Sequence, residues 1–472
     1  MKGDFMTTVM AEKEGHPKGF WLMCFTILWE RFSYYGMTAI LVLFFTANLT
    51  QGGLGMDVKT ATSLFGFFTG FIYLTPIIGG WLADNYLGQQ KCIFIGCVLI
   101  GTGDLILFGS QSRMTLYMAL ITIIIGNGFF KASGTNIIGN LYPKEDTARK
   151  DAAYSLQYTA VNLGAFLAPL IIGLVADNLF SVVGRDGAII FYGYKTAFAF
   201  CGGGILVGAF VFKMLAPRYL KEVGRDPIAH SYRGKDGRVI KEPLTKDEKN
   251  KVSALLIICV FVTVFWTAFN QSYTSFALYA RDFVDRSVGE FDIPVPWFTS
   301  LNSILCVTIA PILGIIWIKL SKTKKGDLSI PVKMSLGMLL MSLGFGIMVL
   351  SVFSTNGTSD PGVKAGLVFI TGTYFFNTVG ELCLSPVGNA MVNRLAPAKY
   401  TTLFMGLWFL TNFFASIFSG IIAGFTQNFG FSTIFSGIGI LLFIMSVSLF
   451  WMRKPLLRLM GEEEREVVLK KA

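Results

Sequence analysis

The stretch Leu28-Trp29-Glu30-Arg31-Phe32-Ser33-Tyr34-Tyr35-Gly36 sets an acid and a base side by side inside the first long apolar segment of the chain. An ionised side chain at the centre of a membrane helix costs about 2.5 kcal/mol or more, so such residues usually face a water-filled cavity and mark a pathway. Phe32, Tyr34 and Tyr35 follow within two helical turns of the charges. The plainer alternative is an ion pair that locks two helices together.

Composition sets the class. The chain has 472 residues, is 53% hydrophobic and 15% charged, and has a mean hydropathy of +0.59. Soluble proteins are about one-quarter charged and rarely contain repeated apolar runs of roughly 20 residues. This sequence contains many, so it reads as an all-α polytopic membrane protein. Its 51 glycines suit close helix packing in lipid. The net charge of +11 would suggest nucleic acid in a soluble protein. Here the basic residues fall in loops, where the positive-inside bias accounts for them and no nucleic acid is needed. Cys24, Cys92, Cys97, Cys201, Cys259, Cys306 and Cys383 lie in or beside apolar stretches, without metal spacing or a disulfide framework. They read as small packing residues, and no metal or cofactor is expected. His16 and His230 fall in polar segments and receive no role.

Residues 1–18 hold no apolar core, so no cleavable signal peptide is expected and this tail stays cytoplasmic. Apolar segments follow at about 19–48, 58–84, 91–111, 114–141, 149–176 and 194–216. A second set covers about 252–281, 296–320, 329–354, 364–393, 401–427 and 431–452. Twelve spans put both termini on one side. Alternate loops are rich in Lys and Arg: Lys91, Lys144 to Lys150, 217–251, Lys319 to Lys325, Arg394 to Lys399, and Arg453 onward. Both termini are therefore expected in the cytoplasm. The 217–251 stretch mixes Pro217, Gly224, Pro227, Gly234, Gly237 and Pro243 with charges, as a linker does. It separates a 19–216 bundle from a 252–453 bundle, with 454–472 as a C-terminal tail. Pro-Ile-x-Gly recurs in the second helix of each half, at Pro76–Gly79 and Pro311–Gly314. Paired six-helix repeats with a binding site near the midplane form a known transporter architecture.

Gly79-Gly-Trp-Leu-Ala-Asp-Asn-Tyr-Leu-Gly-Gln-Gln-Lys91 falls between the second and third helices. It resembles the signature loop of the major facilitator superfamily at Gly79, Gly80, Asp84, Gly88 and Lys91. The glycines permit a tight turn and close helix approach, and Asp84 can pair with a cation or cap a helix end. Its role would be conformational.

Further motifs narrow the family. Trp29-Glu30-Arg31-Phe32-Ser33-Tyr34-Tyr35-Gly36 resembles most of the first-helix motif of the proton-dependent oligopeptide transporter (POT) family. Gly126-Asn-Gly-Phe-Phe-Lys131 resembles its fourth helix, and Gln157-Tyr158-Thr-Ala-Val-Asn162-Leu-Gly164 its fifth. Gly380-Glu381-Leu-Cys-Leu-Ser-Pro386-Val-Gly388 is similar to its tenth, and Gly406-Leu-Trp408-Phe to its eleventh. The resemblance implies a central site in which Arg31 and Lys131 hold a peptide carboxylate, with Tyr35 and Tyr73 donating hydroxyls. Glu381, with Asn162 and Asn302, would receive the amino group, and Trp297 and Trp408 would line side-chain pockets. Lys131 and Glu381 come from different halves and would pair across the cytoplasmic side.

The sequence departs from the family at three places, as a divergent member would. Ile27 stands where the first-helix motif begins with another glutamate, and Thr38 replaces an arginine. No acid occurs around Phe269-Asn270-Gln271, where a seventh-helix glutamate is usual. Losing one partner of a buried pair is strongly destabilising, whereas losing both is close to neutral. Thr38 and Asn270 are thus read as neutral replacements at the outer gate. The acids left for proton coupling are Glu30, Glu381 and Asp104, the last in the middle of the third span. Asp104 reads equally well as a hydrogen bond to a neighbouring helix.

The resemblance implies an alternating-access importer of di- or tripeptides in the inner membrane, working as a monomer and coupled to protons. Open alternatives are a peptide-like substrate, export, a weakly coupled facilitator, or a ligand-sensing receptor on a transporter fold. A drug exporter would not carry the Trp-Glu-Arg-Phe and Gly-Glu motifs together. A channel would need a ring of repeated pore residues, and an enzyme a catalytic constellation at the membrane face.

Overall fold

The computed structural model describes residues 15–143, 146–185, 189–227, 245–323, 326–355, 363–395 and 401–461, apart from the side chains of 386–394 and 401–405. Lys144, His230, most of the linker, Pro386 and the outer parts of both tails lie outside these described residues or side chains.

Long apolar runs become long helices because lipid offers the backbone no hydrogen-bond partner. The first half contains α1 (Lys18–Thr46), α2 (Val58–Leu82), α3 (Gln89–Phe108), α4 (Arg113–Gly139), α5 (Thr147–Leu174) and α6 (Tyr194–Tyr219). The second half contains α7 (Lys246–Phe269), α8 (Ser275–Phe283), α9 (Trp297–Ser321), α10 (Ile330–Ser354), α11 (Leu367–Leu395), α12 (Thr401–Gly424) and α13 (Thr426–Trp451). A short α14 (Arg453–Met460) follows. Among the described residues eleven helices are long and apolar enough to cross a membrane, α7 and α8 counting as one span. The remaining expected span is α1, 29 residues long and interrupted by Glu30 and Arg31.

Helix boundaries differ from the sequence reading at the seventh span, at the ends of the second and fifth helices, and on both sides of the linker. The seventh span breaks at Asn270–Tyr273, a tighter turn that ends at Thr274 with φ −122° and ψ −95°. The second and fifth helices widen at their ends into π-turns over Ala83–Leu87 and Val175–Leu179. The linker is shorter than expected on both sides. α6 continues to Tyr219, and α7 starts early on a capping box in which Thr245 Oγ1 accepts from the Glu248 N–H at 3.2 Å. Glu248 Oε2 returns the bond to the Thr245 N–H at 2.8 Å, satisfying two donors that a helix start leaves over.

Within the first half, α1 packs on α5 and α6, α3 on α4 and α6, and α2 on α4. Within the second, α10 packs on α11 and α13, α7 on α12, and α9 on α11. The halves meet through α2 with α12 and α5 with α9. The motif loop is a packing element of the first half. A Cβ on Gly79 would lie 2.0 Å from the Gly128 carbonyl oxygen, so α2 and α4 touch backbone to backbone there. Gly88 takes φ +82°, and a Cβ on it would meet the Arg225 carbonyl at 2.2 Å. Gly80 faces Ala132, while Asp84 and Lys91 are exposed. The repeated Pro-Ile-x-Gly is asymmetric in its surroundings: Gly79 is tightly packed, whereas Gly314 on α9 has open space around it.

Candidate substrate cavity between the halves

A cavity of about 320 Å³ lies between the two bundles, a size typical of small-molecule sites. The first half contributes Tyr34, Tyr35 and Thr38 from α1, Tyr73 from α2, and Tyr158 and Asn162 from α5. The second contributes Asn270, Asn302 and Cys306, then Glu381 from α11 and Trp408 from α12. Aromatic rings and amides thus surround a single charged group of the wall, Glu381, among the described residues.

Each wall has its own electrostatics. On the second-half side, Asn302 Nδ2 donates to Glu381 Oε2 at 2.8 Å and to Thr378 Oγ1 at 3.1 Å. The Cys306 thiol donates to the same carboxylate oxygen at 3.8 Å. Cys306 therefore faces the cavity, a position that its apolar sequence context did not mark. On the first-half side, the positive charges stand behind the tyrosines. The Lys131 Nζ lies 4.3 Å from the Tyr73 ring centroid and 5.1 Å from that of Tyr34. The Arg31 guanidinium lies 5.5 Å from the Tyr34 ring centroid. Such ring faces attract cations electrostatically.

Glu30 and Arg31 form a forked pair, with Nε–Oε2 at 2.5 Å and Nη2–Oε1 at 2.6 Å. Glu30 is fully buried and Arg31 is 15% exposed, and neither belongs to the cavity wall among the described residues. Asp104 is sealed inside the first bundle, where it accepts from Ser33 Oγ on α1 at 2.6 Å and presses against Gly202 of α6. That is the interhelical hydrogen bond named as its alternative role. Among the described residues no ion pair joins Lys131 to Glu381, and each keeps partners within its own half.

Other expected positions lie away from a shared contact. Thr38 Oγ1 donates to the Tyr34 carbonyl of its own helix at 2.8 Å, and Asn270 Nδ2 donates to Ser416 Oγ at 3.4 Å. Both line the cavity, yet neither bonds across the halves. Trp297 stands outside the cavity wall. Its indole N–H donates to the Leu170 carbonyl at 3.0 Å, which fixes α9 to α5.

The polar contacts that do join the halves gather at one end of the molecule, among the described residues. Trp297 meets Leu170 there, and Ser300 Oγ donates to the Phe166 carbonyl at 2.9 Å. Arg281 Nη1 donates to Thr46 Oγ1 at 2.8 Å, and the Val295 N–H donates to Asp177 Oδ2 at 3.4 Å. Gly66 of α2 and Gly420 of α12 meet alongside, their added Cβ atoms 2.6 Å and 2.3 Å from the opposing backbone. This end carries the 47–57 and 284–296 loops. Thr38 and Asn270, expected at the outer gate, are not among these contacts; of the residues that are, 118 to 235 positions apart in the chain, only Trp297 is singled out in the sequence, and for a side-chain pocket.

Two helical bundles enclosing a polar, aromatic cavity at their interface define a multi-pass membrane transporter of the major facilitator fold. The sequence profile of the POT family, PTR2, matches residues 90–234 and 231–441, and the protein belongs to that family. It is 31% identical to the peptide transporter YePEPT of Yersinia enterocolitica, over 95% of this chain and 96% of the relative. It is 28% identical to a di-/tripeptide transporter of Lactococcus lactis, over 95% and 97%. A solved POT peptide transporter in complex with alafosfalin superposes with a TM-score of 0.83 at 28% identity, covering 94% of this chain and 96% of that one. A POT family transporter in complex with 5-aminolevulinic acid gives 0.82 at 25% identity, over 94% and 97%. The family and these relatives are transporters rather than enzymes.

Proposed function

We propose that the protein imports di- or tripeptides, or close analogues, across the inner membrane by rocking its two bundles about the central cavity. The observation that carries this reading is the polarity of the cavity. Glu381 and Asn302 form an acidic wall on one half, and tyrosines backed by Lys131 and Arg31 form a cationic wall on the other. A zwitterion with its ammonium toward Glu381 and its carboxylate toward Lys131 and Arg31 would bridge the halves. Charge-assisted bonds at both ends contribute about 1.5–3 kcal/mol each. Trp408, Phe409, Trp266 and Phe269 supply apolar surface for variable side chains between the two ends. The names of the relatives and the peptide-like ligands of the solved transporters support this substrate class.

Basic loops and tails put both termini in the cytoplasm. The sealed end then faces outward, and this conformation is the inward-facing one. Protons are the expected coupling ion. Glu381 is the acid assigned to coupling, because it alone of Glu30, Asp104 and Glu381 lines the cavity that water and substrate reach. The protein is proposed to function as a monomer.

Competition tests the recognition of both ends. Labelled dialanine is exchanged across proteoliposomes while unlabelled dialanine, its N-acetyl form or its C-terminal amide competes. Capping either end is expected to weaken competition about tenfold or more, one charge-assisted bond being lost. Equal competition by both capped forms would show that the charged walls do not read a peptide.

A further inference from the structure

A side chamber of about 10 Å³ adjoins the main cavity in the second half and shares Tyr273, Thr299 and Asn302 with its wall. Ser272, Tyr374 and Asn377 belong to the chamber alone. The volume is about the room that one water molecule needs. Asn377 stands on α11 one turn before Glu381 and is 1% exposed. Neither its Oδ1 nor its Nδ2 has a hydrogen-bond partner, and among the described residues no other buried amide is left with both atoms unpaired. α10 makes room for this side chain, since a Cβ on Gly344 would lie 2.6 Å from Oδ1. A buried amide left unpaired is strongly unfavourable, so Asn377 calls for a ligand.

The hydrogens already committed around the chamber say what that ligand is. Asn302 gives both amide hydrogens away, to Glu381 and to Thr378, so its oxygen is what it can still offer. The Thr299 hydroxyl donates to the Pro296 carbonyl at 2.7 Å, and the Tyr374 hydroxyl to the Ser272 carbonyl at 3.3 Å. Both then present lone pairs only. The unpaired Nδ2 of Asn377 is a donor. A ligand must therefore donate to the oxygens and accept from Asn377. An ammonium has no lone pair to accept with, a carboxylate has no hydrogen to give, and a methyl group has neither. A water or a hydroxyl has both, and is small enough.

We propose that the chamber is a hydroxyl subsite, filled by one water in the empty carrier and by the side-chain hydroxyl of a first-residue serine when a peptide binds. Asn377 is its specificity-determining residue. The substrate half of the proposal rests on the peptide reading above, in which Glu381 and Asn302 receive the ammonium. Asn302 lines both spaces, and the hydroxyl of serine is only two bonds from the carbon that carries the ammonium. An alanine methyl leaves the water in place. A longer apolar chain does not fit the chamber and turns to the aromatic surface of the main cavity. Because water substitutes for an absent hydroxyl, the preference is graded rather than absolute, about 2- to 12-fold for the net worth of one neutral hydrogen bond.

The test has two readouts on the full chain. In proteoliposomes, exchange of labelled dialanine is competed by unlabelled dialanine, seryl-alanine and alanyl-serine. Seryl-alanine should compete about 2- to 12-fold better than dialanine, whereas alanyl-serine, with its hydroxyl at the other end, should match dialanine. Asn377→Leu, close to asparagine in size, should bring the ratio of seryl-alanine to dialanine to one. Thr299→Val removes one of the chamber's acceptors and should lower the same ratio, a second route should Asn377→Leu fail to fold. Equal competition by seryl-alanine and dialanine in the parent would overturn the subsite, as would the parent's ratio in both variants. The second readout is a crystal structure of the peptide-free protein fine enough to show ordered water, where density is expected within hydrogen-bond distance of Asn377. An empty chamber would overturn the site whatever the protein carries. Water in the chamber of a protein that exchanges no dialanine would count against the peptide reading alone.

Discussion

Gly420→Ala adds a single methyl group at the outer seam, and the structure says where it must go. The new Cβ would lie 2.3 Å from the Thr62 carbonyl oxygen and 2.9 Å from the Gly66 Cα, both on α2 in the other half. Both contacts are backbone, so no flexible side chain can move aside. The helices α2 and α12 must separate, at a cost of about 1–3 kcal/mol for overpacking of a close contact. That cost falls on the conformation in which these outer segments touch. An outer-open conformation parts them and escapes it. The ratio of outer-open to outer-closed molecules should therefore rise about 5- to 150-fold. Spin labels on Leu49→Cys and Val288→Cys, exposed positions on loops of opposite halves at this end, read the ratio directly by pulsed electron resonance, and the rate of dialanine uptake should fall as the inward-facing state becomes scarce. An unchanged distance distribution and unchanged uptake in a folded Gly420→Ala protein would refute the reasoning that this seam is specific to the outer-closed state.

Other residues separate roles that the cavity geometry keeps apart. Lys131→Ala removes the cation behind Tyr73 and Tyr34, and dialanine affinity measured by exchange should drop about 10-fold to 100-fold, the loss of one charge-assisted bond; affinity equal to the parent's would take Lys131 out of substrate recognition. Asp104→Asn keeps an acceptor for Ser33 inside the first bundle, so the pH profile of uptake should match the parent's, and a displaced profile would place Asp104 on the proton path. Trp297→Phe deletes the indole N–H that reaches the Leu170 carbonyl. It should cost the outer-closed state about 1 kcal/mol, visible as a roughly fivefold rise in the open fraction, with dialanine affinity unchanged. A lost affinity with an unmoved open fraction would return Trp297 to the binding pocket.

The helices were legible because each spans a bilayer with an apolar run of roughly 20 residues, a signal that needs no tertiary knowledge. Their ends were less so. The start of α7 carries a readable capping box at Thr245 and Glu248, but the mixed charges around it read as linker. The break at Asn270–Tyr273 has no proline or glycine to announce it. At the site, intramembrane charge drew attention to Glu30, Arg31, Lys131 and Glu381, and the resemblance supplied Asn302, which does bond Glu381. What the sequence did not reveal is which groups share a surface across the two halves. Asp177 and Val295 are 118 positions apart, and Arg281 and Thr46 are 235 apart. Nothing local distinguishes Asp177 from an ordinary acid at a helix end. Trp297 shows the same limit in reverse: its ring could serve a pocket or a helix seam, and only the Leu170 carbonyl beside it decides between them.

Proton-driven peptide import is tested most directly by uptake of labelled dialanine into proteoliposomes holding the purified protein, with an inward proton gradient and again after an ionophore dissipates it. Accumulation above equilibrium is expected with the gradient, equilibration without it, and loss of accumulation but not of exchange in Glu381→Gln. No dialanine uptake by the folded protein under either condition would contradict the assignment as a peptide importer.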